Sequence, residues 1–479
     1  MPHYTEGLFK YCLIVALLAL YVTNLGSVGF LGPDEPRYAS IGREMARSGD
    51  WITPRLDGTP WFEKSPLLYW MTALGNRVHL SDEWAARLPV ALMSLAFLLF
   101  FYVTLAREFS ARVALSATAI LGTSAGWVAY SFGAVTDLPM SAALAAAMLI
   151  ALFGPSAIPG RAREQALQGF LSGALLGLAV LAKGFGPLIL MAPAFLIARQ
   201  KRLAMIGGCI LVAAPWYVLC AVRNPGVFWN EFFWRHQVER YLHPTFEHLQ
   251  PFWFYVPVLL AGLFPWTPLV GLLFRPKTYD DPRVRFLAFW LVAALAFFSY
   301  PQTKLPGYVL PLMPALAIVL AVALDKARGL AWWIASCVLM LTALPVIASI
   351  LPDAVLSGIT TVSFSFALGW PFVLAAGAVF WLAWRGLREW AILAAALAAI
   401  GAVAYLKIVT LPVLDQRDSV RAFWRANAAQ AEGACLNNLP PAWNYQSNYY
   451  AGRPVPLCGE QPRRIVVVGG KLQVIESRE

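Results

Sequence analysis

Charge is scarce in this sequence. Only 13% of its 479 residues are Asp, Glu, Lys or Arg, against about 25% in an ordinary soluble domain. Six cysteines are too few for a dense disulfide scaffold, and no Cys-x-x-Cys zinc spacing occurs. The sequence has no Walker loop, no His-Glu-x-x-His helix and no Ser-His-Asp pattern, which removes the familiar nucleotide, zincin and serine-hydrolase readings. Gly and Pro are plentiful, but without a G-X-Y period or low-complexity tract, so neither a collagen-like nor a disordered chain fits. Nor is an internal repeat visible, which counts against a transporter built from inverted halves.

What is abundant is apolar sequence. Hydrophobic residues make up 59% of the chain, and mean hydropathy is +0.61. Blocks long enough to cross a hydrocarbon core of about 30 Å recur throughout. Thirteen candidate spans lie near 8–28, 84–106, 112–129, 133–153, 167–182, 184–198, 203–222, 252–273, 286–301, 307–324, 330–351, 367–384 and 389–411. The fifth and sixth share a break at Lys183-Gly184-Phe185-Gly186-Pro187. The first block runs on without a convincing cleavage site and reads as a retained helix. This predicts a polytopic α-helical membrane protein.

The net charge of +11 is not a nucleic-acid signature, because the bases fall between the apolar blocks. Every second connector is basic: Arg107 and Arg112; Arg161 and Arg163; Arg199, Lys201 and Arg202; Arg275, Lys277, Arg283 and Arg285; Lys326 and Arg328; Arg385 and Arg388. The positive-inside rule puts these in the cytoplasm. The intervening connectors, including the long loops 29–83 and 223–251 and the tail, then lie outside. Loop 29–83 offers amphipathic stretches at about 36–48 and 61–76, suited to the membrane interface. The expected organisation is a transmembrane domain over 1–411 and a small α/β tail domain over 412–479, with a helix near 417–431. Cys435 and Cys458 can bridge if that tail is extracytoplasmic.

Unusual polar residues gather on the outside. Gly32-Pro33-Asp34-Glu35-Pro36-Arg37-Tyr38 follows the first span and places two acids at a helix start, where the helix dipole favours them. Trp61-Phe62-Glu63-Lys64-Ser65-Pro66 sets an acid and a base in an aromatic stretch. Asp137 is expected about one turn inside the outer end of the fourth span, where an ionisable residue is costly and by default functional. Lys183, Lys304 and Tyr308 sit at outer span ends. His236 and Arg240, four apart, would share a helix face. Each has a bland alternative, as a cap, a snorkelling anchor or a solvated pair. Together, however, bases and acids converge from separate loops on one surface. Such bases suit a lipid-carried phosphate, through charge-assisted bonds, and the acids suit proton handling or a metal.

Five segments in order, Gly-Pro-Asp-Glu-Pro-Arg-Tyr, Trp-Phe-Glu-Lys-Ser-Pro-Leu-Leu-Tyr-Trp, Thr-Asp-Leu-Pro, Lys-Gly-Phe and Lys-Leu-Pro-Gly-Tyr-Val-Leu-Pro, resemble the bacterial branch of the dolichyl-phosphate-mannose–protein mannosyltransferases. The resemblance is greatest to the lipid A aminoarabinose transferases and runs over about 1–410. It implies a C-type glycosyltransferase fold in the bacterial inner membrane, with about 13 helices and a periplasmic active site. It further implies an inverting transfer of a sugar, such as 4-amino-4-deoxy-L-arabinose, from undecaprenyl phosphate to lipid A or another periplasmic acceptor. By resemblance, Asp34, Asp137 and Glu63 are catalytic, while Arg37, Lys64, Lys183, Arg240 and Tyr308 hold the donor phosphate. Glu63 and His236 are the candidates for a divalent metal such as zinc. Ser65 replaces a proline common in the family, and His236 stands one residue early relative to the usual Glu-His-x-x-Arg-Phe. Protein O-mannosyl transfer, lipopolysaccharide-core transfer and, from another class, flipping of a lipid-linked sugar remain open alternatives.

Overall fold

The computed structural model describes residues 2–153, 162–239, 249–349, 369–459, 461, 463–469 and 471–476. The chain starts in α1 (Pro2–Val22) and then leaves the apolar phase for its first long loop. That loop folds into α2 (Asp34–Ser48), a two-stranded ribbon of β1 (Arg55–Leu56) and β2 (Thr59–Pro60), and α3 (Leu67–Arg77). Asp57 and Gly58 take positive φ at the ribbon's turn (54° and 80°), the conformation such a tight hairpin needs. α2 starts with Asp34 and Glu35 in its first turn and stops at Gly49, which adopts the left-handed conformation (φ 72°) that glycine tolerates best. α3 begins at residue 67 rather than 61, because Pro66 sets the helix start and 61–66 is non-helical, with bends at Glu63 and Lys64.

The apolar blocks follow as α4 (Asp82–Glu108), α5 (Ala111–Thr123), α6 (Ala125–Phe132), α7 (Asp137–Leu152), α8 (Ala162–Lys183), α9 (Gly186–Ile197) and α10 (Arg202–Arg223), with further helices to Asp418. Six helices are long and apolar enough to cross a bilayer alone, and two bent pairs each make one more. Five shorter apolar helices fill the remaining positions, so the described residues hold thirteen apolar units in the predicted order. Neither bend was expected, although Gly262, Pro265 and Pro268 mark the second. α5 and α6 meet at 57°, and Phe252–Gly262 meets Thr267–Phe274 at 116°. They are stitched together: the Ala125 amide donates to the Phe264 carbonyl (2.9 Å), and Trp266 Nε1 donates to Thr123 Oγ1 (2.8 Å). Backbone groups released by a break in a spanning helix are thus satisfied by the neighbouring break.

Close approach between spans relies on small residues. A side chain at Gly173 of α8 would strike the Met205 backbone of α10, and one at Gly208 would strike the Phe170 carbonyl, as expected where helices pack in lipid by backbone contact. The basic connectors meet at one end of the bundle. Arg283 Nη1 donates to the Glu108 carbonyl (2.7 Å), Lys326 Nζ to the Lys277 carbonyl (2.8 Å) and Arg388 Nη2 to the Leu324 carbonyl (2.5 Å). This is a polytopic helical membrane protein.

The tail after the last span packs around its own small core, which includes Val420, Trp424, Leu436 and Ile465. The last apolar helix runs on to Asp418, so the tail's first helix is only Arg421–Asn427, shorter than the predicted 417–431. A three-stranded sheet then forms from β3 (Cys435–Leu436), β4 (Arg463–Val468) and β5 (Lys471–Glu476); β3 runs parallel to β4, and β5 antiparallel. Cys435 and Cys458 are joined by a disulfide, and the helix Pro441–Ala451 lies between them.

Candidate active site

At the end of the bundle opposite the basic connectors lies a cavity of about 840 Å³. Its walls come from six places in the chain: the start of α2, the non-helical 59–64 stretch, the N-terminus of α7, the C-terminus of α8, the 227–235 segment and the 305–308 segment. Asp34, Arg37, Glu63, Lys64, Asp137, Lys183 and Tyr308 all line it. Seven of the predicted site residues are therefore brought together. Arg240 lies outside the described residues, as does the side chain of His236.

One wall is a chain of alternating charges. Arg37 donates from Nη2 to Asp34 and from Nη1 to Glu63 (3.1 Å), and Nε reaches the Pro33 carbonyl (3.1 Å). Lys64 Nζ stands 3.1 Å from the other Glu63 oxygen. Burial alone would lower the Arg37 pKa, but the Glu63 and Asp34 carboxylates outweigh it and raise it above the ordinary value, so the group is a permanent cation. Behind it, Tyr38 and Tyr69 are fully enclosed. Burial first, then nearby Asp34 and Glu63, pushes the Tyr38 hydroxyl well above its ordinary pKa; burial and Glu63 do the same for Tyr69.

On the other wall, Asp137 is the first residue of α7, not one turn inside it as the hydropathy suggested. The helix starts late because 133–136 is spent on the turn that leads into it. Asp137 accepts from Lys183 Nζ at the C-terminus of α8, and Lys183 also stands 4.9 Å from the Tyr308 ring centroid. Gly307 is required here, since a Cβ would overlap the Asp137 carboxylate and lie 2.8 Å from the Tyr130 hydroxyl. A Glu231–Arg235 pair (3.1 Å) completes the lining from the π-helical segment Trp229–Glu239. Lys304 does something else: buried at 3% exposure, it donates to the Gln250 (3.0 Å) and Pro301 carbonyls and braces the loop.

The described residues do not assemble a zinc site. Glu63 is engaged by two cations, Arg37 and Lys64, and no group of three or more His, Cys, Asp or Glu comes together among the described residues.

Sequence reasoning missed a hub beneath the cavity. Glu35 turns away from it and takes both Nε (3.0 Å) and Nη2 (2.7 Å) of Arg87. Its oxygens also accept from the Leu31 (2.9 Å) and Ala134 (2.7 Å) amides. Ala134 leads directly into Asp137, so one buried carboxylate ties the two acid-bearing loops together. The available signal was Arg87, a base near the non-basic end of a span.

The family model of the dolichyl-phosphate-mannose-protein mannosyltransferases matches residues 8–229. Residues 8–229 are therefore similar to that family. They contribute Asp34, Arg37, Glu63, Lys64, Asp137 and Lys183 to the cavity. An undecaprenyl phosphate-alpha-4-amino-4-deoxy-L-arabinose arabinosyl transferase from Serratia proteamaculans is 32% identical over 333 residues, covering 66% of this chain and 59% of that one. A protein of the same name from Pseudomonas aeruginosa is 31% identical over 326 residues, covering 65% and 59%. The chain thus spans about three-fifths of the length of these curated relatives. Among solved structures, ArnT from Cupriavidus metallidurans bound to undecaprenyl phosphate superposes with TM-score 0.75 and 25% identity, covering 94% of this chain and 85% of that one. The Archaeoglobus fulgidus oligosaccharyltransferase shares the fold at TM-score 0.50 and 14% identity, covering 96% and 60%. The fold is the C-type glycosyltransferase fold.

Proposed function

We propose that this protein is an inner-membrane glycosyltransferase that moves a sugar from an undecaprenyl-phosphate carrier to lipid A or another periplasmic acceptor, with inversion. One observation carries the reading: a single cavity at one end of the bundle is lined by three acid–base groupings, drawn from separate loops. The names of the similar proteins make 4-amino-4-deoxy-L-arabinose the favoured sugar. Positive-inside bias puts the opposite, base-rich end in the cytoplasm and the cavity in the periplasm. On this reading 1–411 is the membrane transferase domain and 412–479 a periplasmic domain.

The chemistry follows from the two walls. An acceptor oxygen attacks the anomeric carbon as the carbon–oxygen bond to the carrier phosphate breaks, and the electron pair leaves with the phosphate. Lys64, Arg37 and Lys183 stabilise that growing charge, from fixed positions that need no reorganisation. Arg240 is a fourth candidate base. Tyr308 shapes the wall that Lys183 and Asp137 share. Asp34 faces the acceptor: it takes the proton of a hydroxyl acceptor, or orients an acceptor phosphate that is already ionised. Glu63 and Asp137 hold the bases in register.

Purified protein in detergent, given donor and lipid A, should form product without a sealed membrane. Asp34→Asn should lower turnover by about 10²–10⁴-fold, the usual contribution of acid–base catalysis, while undecaprenyl phosphate still binds. Lys64→Gln should weaken that binding roughly 10–150-fold, for one lost charged hydrogen bond. Turnover largely retained in Asp34→Asn would overturn the assignment of that residue.

A further inference from the structure

The edges of the Arg37 guanidinium are held within the first loop, by Pro33, Asp34 and Glu63. Three aromatic ring centroids lie within about 6 Å of its Cζ. Tyr445 stands 5.2 Å from Cζ, Trp61 5.8 Å and Tyr38 5.9 Å. The nearest ring therefore comes from the tail, from the helix Pro441–Ala451, far beyond the family-matched residues 8–229. Tyr445 stands behind Arg37 and outside the cavity lining.

That helix is fastened to the first loop and the start of α4 through its C-terminal half. Asn448 Nδ2 donates to Asp57 Oδ2 (2.8 Å), and the Tyr449 ring lies under Arg43 with its centroid 3.8 Å from Cζ. The Tyr449 hydroxyl donates to Asp82 (3.0 Å). The Tyr450 hydroxyl donates to Glu83 (2.8 Å) and accepts from the Phe30 amide (3.0 Å). Behind it, the Val420 amide donates to Gln446 Oε1 (3.0 Å). The disulfide closes the segment on either side. Such fastening of the helix limits where the Tyr445 ring can move relative to Arg37.

We propose that Tyr445 is a positioning residue for the carrier phosphate: its ring face fixes the plane of Arg37, so that the N–H groups not taken by Pro33, Asp34 and Glu63 point into the cavity. The tail helix is then part of the donor site. This rests on reading the cavity as an undecaprenyl-phosphate site. A guanidinium is drawn to the negative face of an aromatic ring, most strongly to Trp, and by an amount that an aliphatic side chain of similar bulk cannot supply.

The test is equilibrium binding of undecaprenyl phosphate to the full chain in detergent, with thermal midpoints measured alongside. Tyr445→Leu should bind roughly 3–30-fold more weakly, the range of a cation–π contact. Tyr445→Phe should stay within about twofold of the unsubstituted protein, and Tyr445→Trp should match or exceed it. In an Arg37→Gln background the Tyr445→Leu substitution should add nothing, because residues acting through one another are not additive; a general packing defect would persist there. Tyr445→Leu binding as well as the unsubstituted protein, or Tyr445→Phe losing as much as Tyr445→Leu, would overturn the proposal. No binding by the unsubstituted protein would instead overturn the donor reading, and this proposal with it. If Tyr445→Leu does not survive purification, the two ring-retaining variants decide: preserved binding supports the proposal, and a loss above about threefold in both refutes it.

Discussion

Replacing Arg87 with methionine keeps the stem of the side chain and removes only its head, so the consequences can be read from the head's partners. All five N–H groups of this guanidinium are used. Two go to Glu35, at 3.0 and 2.7 Å, and three go to the carbonyls of Leu25 (2.8 Å), Val28 (2.7 Å) and Gly29 (2.9 Å). The residue is fully buried and Glu35 nearly so. Taking one partner out of a buried ion pair costs about 3–5 kcal/mol, because the remaining charge has neither water nor a counter-ion. Glu35→Gln also removes the counter-ion of a buried charge and turns one acceptor oxygen into a donor facing two N–H groups, so it should cost about the same 3–5 kcal/mol. Joint replacement by Arg87→Met and Glu35→Leu should not restore stability, as it sometimes does for a simple pair. Three carbonyls and the Leu31 and Ala134 amides would still be stranded. Heat-induced loss of monodisperse protein in detergent, read by size-exclusion chromatography, gives the order of the variants. Transfer measured well below those midpoints should fall as well, since Glu35 fixes the loops of Asp34 and Asp137. Arg87→Met with unchanged heat tolerance would refute the reasoning.

Two further outcomes are expected. Gly307→Ala should lower transfer about 5–150-fold, the equivalent of the 1–3 kcal/mol typical of overpacking, because the new methyl displaces the Asp137 carboxylate; turnover at the normal rate would remove the Asp137–Lys183–Tyr308 wall from the site. Burial, then the adjacent carboxylates, raises the folded-state pKa of Tyr38 and Tyr69 above the ordinary 10.0. The folded protein therefore holds protons the unfolded chain gives up, and the stability this represents is present below about pH 10 and lost as pH rises beyond it. Thermal midpoints between about pH 8 and about pH 11 should fall less in a Tyr38→Phe, Tyr69→Phe variant than in the parent; an equal fall would count against this origin.

The membrane part of the fold was legible because lipid imposes a length and a composition on every span. The bends were not. The break at Ser124 carries no strong signal, and Gly262, Pro265 and Pro268 mark the second break but not its angle; what makes both tolerable is that Ala125 donates to Phe264 across them, a contact between residues far apart in sequence. The same limit separates the parts of the site. Asp34, Glu63, Lys64, Asp137 and Lys183 stood out because ionisable residues beside apolar blocks need a reason. Tyr445 did not, because an aromatic residue in a short polar helix has no periodic or chemical mark until the fold sets it against Arg37.

Arg37 and Arg87 show why a sequence ranks such residues poorly and a structure ranks them well. Both are arginines near the same end of the bundle, both pair with an acid from the Asp34-Glu35 dipeptide, and both meet aromatic rings. What separates them is the count of donors. Arg87 has spent all five on buried acceptors and has nothing left for a ligand. Arg37 gives three to described residues, lines the cavity, and is 15% exposed. The neighbouring acids divide in the same way. Glu35 accepts from three residues and faces inward, while Asp34, 49% exposed, accepts from Arg37 and lies open to the cavity. An adjacent Asp-Glu pair thus separates into an open acid that can meet a substrate and a closed one that fixes where it stands. Because consecutive residues of a helix point in different directions, one of the two had to turn inward, and Arg87 decides which.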